Sequence, residues 1–447
     1  MIFASKNCIT MKNKIILALF VLVGLLLPSN TLHAQQLKAP EGKQVYVPKD
    51  LRDNDFTNPG SKWSFARMAY TDDVVVFWEK PFGPDLSQAP DLEGQNMKVD
   101  ILNLLTRLQT FYDFYKNDLR FIKPGSKADK YRMMVMLNYS LEGTAYGGDY
   151  DGQIGALWIT PNRVQDKKLN CIAHELGHSF QSQVGCDGQG ESWGGGGIFE
   201  MTSQWMLWQV NPEWTTDENY HWRGFIDHHN LRFLAGENIY HSPYVLEYWS
   251  MKHGLTVMGD LFRGGKRGED PAMTYMRLFG LTLDQMNDEM LDCYSRLLTF
   301  DFPRVKESHA KFAGQLTTPM AEPQRKGQTL VLQPREDMLP ETWGFNVVGL
   351  NMMPSKKANT LQFEGLAQDA NATYKLRWVT VKDGGVEYGP VMTGKQFTFT
   401  IPSLSDGRHY LVVVGCPKDT YKPYTFNPYE HDKAEAEAKF PYQLIVK

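Results

Sequence analysis

Apolar and polar positions follow three different regimes along the chain, and each regime predicts its own kind of element. Ile15 to Leu27 is an unbroken run of thirteen uncharged, almost wholly apolar residues behind Met11-Lys12-Asn13-Lys14. A membrane span needs about 20 residues, so this run is too short to cross a bilayer; its length and positive flank are those of a signal-peptide core. Pro28 ends it, and Leu32-His33-Ala34 offers a cleavage site before Gln35. Residues 35–62, rich in Pro, Asp and Lys, read as a loosely held entry segment.

A mixed regime follows. Val74 to Trp78 is β-branched and aromatic and predicts a strand. Met97, Ile101, Leu104, Leu105, Leu108, Phe111 and Phe114 recur at helical spacing. Strands are predicted at Tyr131 to Leu137 and at Gly155 to Thr160, then a helix from about Lys167 to Val184. Gly185 to Gly197 holds seven Gly in thirteen residues and must be loop. A second helix is predicted from Ile198 to Gln209, closed by Asn211-Pro212, and residues 240–300 are mostly helical in pattern.

After Pro319 the period becomes 2. Tyr374, Leu376 and Trp378 alternate with polar neighbours, as do Phe397, Phe399 and Ile401; Tyr410 to Val414 and Tyr442 to Val446 read as further strands. Lys382-Asp383-Gly384-Gly385 is a hairpin turn in pattern. About seven short strands in such a stretch predict a β-sandwich. The expected class is therefore α+β: a signal peptide over 1–34, the entry segment over 35–62, a mixed domain over 63–318 and an all-β sandwich over 319–447.

Composition narrows the function classes. Hydrophobic residues at 42% and charged residues at 22% are those of a folded globular chain. The net charge is −4, and loss of Lys6, Lys12 and Lys14 with the signal makes it −7, which excludes a generally basic nucleic-acid binder. No other stretch reaches membrane-spanning length, so the mature chain is expected to be exported, periplasmic or secreted, without a span. Four Cys remain, Cys171, Cys186, Cys293 and Cys416. A helix between the first two separates them by roughly 20 Å, too far for a disulfide.

The chemistry concentrates in His174-Glu175-Leu176-Gly177-His178. On a helix, positions i and i+4 share one face, so both imidazoles can grip one metal ion and Glu175 can reach the water beside it. Leu169, Ile172, Ala173, Leu176 and Phe180 supply the apolar stripe such a helix needs. Glu200, 22 positions after His178 on the next predicted helix, sits in a largely uncharged stretch where a carboxylate needs a partner; it is the candidate third ligand. Two His, one Glu and an open position make a known catalytic zinc set. His228, His229, His241, Tyr240 and Tyr244 are candidates to stabilise an oxyanion, each weighed against a packing role. Trp378, Tyr388 and Tyr410 are candidates for contact with a glycan, weighed against the sandwich core. The Gly-rich loop lacks the phosphate-cradle pattern, and no G-x-S-x-G elbow occurs.

The pattern His174-Glu175-x-Gly177-His178-x-x-Gln181, followed by Glu200-Met201-Thr202-Ser203-Gln204, resembles the gluzincin class of zinc metallopeptidases, and within it the enhancin-type, mucin-degrading branch. It is also similar to exported bacterial proteins that share this core and add a β-rich tail. The resemblance is specific over residues 155–210, weaker over 60–310 and absent after 320. It implies a zincin-like domain and Zn2+ held by His174, His178 and Glu200. It further implies Glu175 as the base that activates the zinc-bound water, and a protein or glycoprotein substrate. It also implies that Gly155 to Thr160 is the sheet edge along which an extended peptide lies. Gln204 departs from the pattern, standing where many such enzymes have Asp or Asn, and puts the support of a ligand histidine in question. A second reading stays open: a secreted binding or adhesion protein that keeps the scaffold without catalysis.

Overall fold

The computed structural model describes residues 38–191, 193, 197–327, 329–351, 359–401, 407–424 and 437–446; the signal segment 1–34 lies outside them. The described residues divide into two compact units, those within Met1–Lys116 and Ile122–Asp187, and those within Asn117–Phe121 and Gly188–Lys447. The class is α+β, as expected.

The first unit is built on one mixed sheet of five strands, β1 (Met68–Tyr70), β2 (Val74–Trp78), β3 (Met133–Leu137), β4 (Ala145–Tyr150) and β5 (Ile154–Ile159), in the order β1-β2-β3-β5-β4. The inner pairs β2/β3 and β3/β5 are parallel, and the outer strands β1 and β4 run antiparallel to their neighbours. Parallel strands covered on both faces need continuous apolar runs, and β2 (VVVFW) and β3 (MMVML) are buried at every position. Helices α1 (Ile101–Asn117) and α2 (Asn170–Cys186) meet through Tyr112 and Tyr115, both edge-on to Phe180 at 5.1 and 5.4 Å between centroids, while the Tyr115 hydroxyl donates to the Ala173 carbonyl at 3.0 Å.

The entry segment is not loosely held, contrary to what its composition implies. Arg132, 2% exposed, donates to the carbonyls of Glu41, Lys43 and Thr71, and Gln44 bridges to Tyr131 in parallel. A buried guanidinium needs partners for its donors, and the backbone of the entry segment supplies them.

The second unit opens with helices α3 (Gly197–Val210), α4 (Trp214–Asp217), α5 (Tyr220–His228), α6 (Tyr244–His253), α7 (Val257–Gly264), α8 (Pro271–Phe279) and α9 (Leu283–Leu297). Strands follow: β6 (Gln324–Lys326), β7 (Thr329–Leu332), β8 (Phe345–Gly349), β9 (Asn359–Gly365), β10 (Ala372–Lys382), β11 (Gly385–Tyr388), β12 (Met392–Thr393), β13 (Gln396–Ile401), β14 (Arg408–Pro417) and β15 (Tyr442–Val446). They make two antiparallel sheets, β11-β10-β14-β8 with β12 beside β10, and β13-β9-β15-β7-β6. Leu361, Phe363 and Leu444 from one sheet and Tyr374, Leu376 and Val413 from the other share one core, with Phe363 edge-on to Tyr374 at 5.2 Å, so the predicted sandwich is present. Asp383-Gly384 closes the β10/β11 hairpin with Lys382 opposite Gly385. One sheet is pinned to α9: the Lys375 ammonium, 2% exposed, reaches Asp284 and Asp288, both at 2.7 Å, and Arg377 reaches Asp292 at 2.7 Å. Trp378, Tyr388 and Tyr410 serve packing: Trp378 lies against the sandwich core, the Tyr388 hydroxyl donates to Asp301 at 2.9 Å, and Tyr410 is buried. Among the described residues no disulfide joins Cys171, Cys186, Cys293 or Cys416. No helix among the described residues is long and apolar enough to cross a membrane.

Two buried histidines of this unit set an acid limit on stability. His229 Nδ1 donates to the Ile226 carbonyl at 2.6 Å and its Nε2 accepts from Thr318 Oγ1 at 2.7 Å; Trp208 Nε1 donates to His309 Nε2 at 3.2 Å. Each ring is therefore neutral, and burial pushes both pKa values down to about 4. The folded values lie below the unfolded one of about 6.5, so their stabilisation is full above that pH and is lost as pH falls toward 4, by on the order of 3 kcal/mol per histidine. We expect the melting temperature to hold between pH 7.5 and 6.5 and to drop steeply by pH 4.5, read by circular dichroism. A flat profile would contradict neutral burial of these rings.

Candidate metal centre

Helix α2 carries the HExxH segment and lies over the β4/β5 hairpin. Its predicted apolar stripe, Leu169, Ile172, Ala173, Leu176 and Phe180, is entirely buried. The polar residues beside that stripe bind the helix to the sheet at every fourth position. Gly147 N–H donates to Glu175 Oε2 at 2.8 Å, Ser179 Oγ donates to the Ala156 carbonyl at 2.8 Å, and Gly155 N–H donates to Gln183 Oε1 at 2.9 Å. Residues four apart stack along a helix, so one line of side chains reads one hairpin. The approach is close enough to require glycine at residue 147: a Cβ there would stand 1.9 Å from the Glu175 carbonyl oxygen and 2.9 Å from His178 Cβ.

These contacts correct one expectation. Gly155 to Thr160 is not the sheet edge, because β5 is paired on both sides, to β3 and β4. The edge is β4, which no pattern announces: its sequence AYGGDY has two Gly and an Asp and no alternation of apolar residues.

His174 and His178 stack one turn apart, edge-on, with their Nε2 atoms 3.0 Å from each other. His178 Nδ1 lies 3.1 Å from Gln181 Oε1. An amide oxygen only accepts, so Nδ1 carries the proton and the Nε2 lone pair is left for a metal. The Gln181 partnership is an i, i+3 spacing, present in the sequence but with nothing there to single it out beyond its place in a family pattern. Helix α3 is largely buried, and Glu200 is the one charged residue among its fourteen. Among the described residues, one group of His, Cys, Asp or Glu side chains is placed to hold a metal ion: His174, His178 and Glu200, with one ligand atom from each and all within 4.8 Å of one another. Two imidazole nitrogens and a carboxylate oxygen are donors of the kind zinc takes, in the number that leaves a position open.

Gln204, one turn beyond Glu200, donates to the Tyr240 carbonyl at 2.9 Å and lies 3.3 Å from His221 Nε2; His221 in turn meets His241, Nδ1 to Nδ1, at 2.7 Å. Of the five candidates for oxyanion stabilisation, four have contacts or burial within the second unit. His229 is buried as described above, Tyr244 is buried among Trp208, Trp222 and Phe225, and His228 Nδ1 is held by the Gly224 carbonyl at 2.9 Å. His241 is bound to His221, and burial, then the neighbouring His221 and His228, push its pKa down to about 4. Tyr240 presents an exposed ring.

No curated protein matches the chain. Among solved structures it is similar to the ZmpB metallopeptidase from Clostridium perfringens, at 15% identity and a TM-score of 0.30, over 79% of this chain and 66% of that one, and so spans just under two thirds of that structure. It is also similar to the M60 catalytic domain of ZmpC from the same organism, a structure in complex with the sialyl T antigen, at 13% identity and a TM-score of 0.30, over 80% of this chain and 69% of that one. The family of unknown function DUF6055 matches residues 37–447, nearly the full length, and the chain belongs to that family.

Proposed function

We propose that this chain is a zinc-dependent endopeptidase that hydrolyses peptide bonds of proteins, glycoproteins among them. His174, His178 and Glu200 are the ligands in this reading and Glu175 is the base. The observation that carries it is the convergence of two imidazoles and a carboxylate beside a glutamate that is itself fixed, through Gly147, to the edge of a sheet. Zinc, when bound, supplies a Lewis acid for the substrate carbonyl and acidifies the adjacent water. Glu175 takes a proton from the attacking water at its carboxylate and returns it to the leaving nitrogen. Gln181 holds His178 in the tautomer that offers Nε2. Export is part of the proposal, resting on the apolar run at Ile15 to Leu27; N-terminal sequencing of cell fractions checks it, and an intact N-terminus in the cytoplasm would refute it.

The direct test is zinc per chain, by elemental analysis of mature protein purified without chelator, beside a His174→Ala/His178→Ala double variant. About one zinc in the wild type and none in the variant is expected, followed by cleavage of protein and mucin substrates by the wild type alone. A wild type that stays metal-free after reconstitution would end the proposal and favour a binding protein on this scaffold.

A further inference from the structure

The open edge of β4 is the place where a substrate must lie if Glu175 is to reach it. In an antiparallel ladder a residue's N–H and C=O point to the same side, alternating along the strand. Gly147 N–H donates to Glu175 and not to β5, so Gly147 faces outward from the edge. The Glu175 carboxylate therefore stands at the rim of the sheet. A polypeptide presenting a bond to it runs along β4, and its side chains alternate between the two faces of the sheet. One face is that of α2, toward which a Cβ on residue 147 would point. The other is that of residues 146, 148 and 150.

That second face carries an aromatic shelf. Tyr146 is 58% exposed, although it is a large ring on a strand tied to the proposed base. Its register partner on β5 is Trp158, at 5.7 Å between centroids, and Trp158 is edge-on to Tyr150 at 4.9 Å. Trp158 Nε1 donates to the Tyr150 hydroxyl at 3.1 Å, which fixes the indole from behind. Between the rings sits Gly148: a Cβ there would stand 3.1 Å from Tyr146 Cε1 and 3.6 Å from Trp158 Cζ3. The shelf is thus a rigid ring supporting an exposed one, with no side chain between them, one residue from the N–H that holds the base. The core has no use for the outer face of Tyr146.

We propose that Tyr146 and Trp158 form a specificity subsite that takes an aromatic side chain of a polypeptide lying extended along β4, on the face away from the metal helix. This deepens the endopeptidase reading and rests on it for the cleavage step. Stacked aromatic pairs favour such a side chain over a small polar one by about tenfold.

The test uses the Glu175→Gln chain loaded with zinc, which binds without cutting, and two fluorescein-labelled peptides of equal length. One has Phe at every second position and the other Ser at the same positions, so that any register along β4 is sampled. Fluorescence anisotropy should show the Phe peptide binding about tenfold tighter, and Tyr146→Ala in the same background should bring the two affinities to within about twofold of each other. A preference that survives Tyr146→Ala, no preference in the parent, or an equal weakening of both peptides would overturn the subsite. Turnover by the wild type is read separately. A wild type that binds the Phe peptide selectively but never cleaves it would refute the peptidase reading and leave the shelf standing.

Discussion

Glu175→Gln is expected to lower peptide hydrolysis by about 10²- to 10⁴-fold while zinc per chain and melting temperature stay at their wild-type values. The side chains are isosteric. The amide oxygen of Gln still accepts from Gly147 N–H, which holds Glu175 Oε2 at 2.8 Å, so the contact between α2 and β4 survives. What is removed is the group that takes and returns a proton. Glu175→Asp keeps that chemistry but withdraws the carboxylate by one methylene, and a displacement of about 1 Å at a reacting group costs about 10²-fold. The order Glu, then Asp, then Gln in kcat/KM at constant zinc is the signature of a base. Zinc lost together with activity in the Gln variant would make Glu175 a ligand or a structural residue. A loss of less than tenfold would remove it from the chemistry.

How much of this is legible in the sequence depends on whether a residue's role shows as a period. Strand β2, strand β15 and the β10/β11 hairpin stand where alternation and turn chemistry place them, and α2 begins and ends within three residues of its predicted bounds. Each of these is specified by contacts local in sequence or by a single buried face. Strand β4 is invisible for the opposite reason. Its residues are chosen by what approaches them from elsewhere: Gly147 by the backbone of α2, Gly148 by the rings of Tyr146 and Trp158. Neither leaves a periodic trace, and two adjacent glycines read as a turn. The ties of Ser179 and Gln183 also escape a reading by apolar period, although Glu175, Ser179 and Gln183 form an i, i+4, i+8 polar line next to the apolar stripe of the same helix. Such a line on an otherwise buried helix signals a docked backbone. Gln204, by its position in the pattern a departure in the support of a ligand, reaches His221 and the Tyr240 carbonyl, while Gln181 supports His178.

Gly147→Ala should be the most damaging single methyl that can be added to the first unit, and Gly185→Ala, on the helix it would push against, should be harmless. The new Cβ at 147 would fall 1.9 Å from the Glu175 carbonyl oxygen, 2.8 Å from its carbonyl carbon and 2.9 Å from His178 Cβ. These are mainly backbone atoms, so no side-chain rotation relieves the clash; either β4 or α2 must move. Overpacking of a tight interior costs about 1–3 kcal/mol and occasionally more, and contacts this short place Gly147→Ala at or above the top of that range. The same movement breaks the Gly147 N–H bond to Glu175 and shifts His178, so hydrolysis falls by at least about 10²-fold even in the fraction that stays folded. Gly185 lies in the last turn of α2, exposed, with nothing within 4 Å of an added methyl, and Ala there gains up to about 1 kcal/mol of helix propensity. Urea melts and kcat/KM for both variants, with zinc measured on each, separate the two cases. A Gly147→Ala chain as stable and as active as wild type would mean that β4 does not lie against α2, and with it the anchoring of the base to the sheet edge would fall.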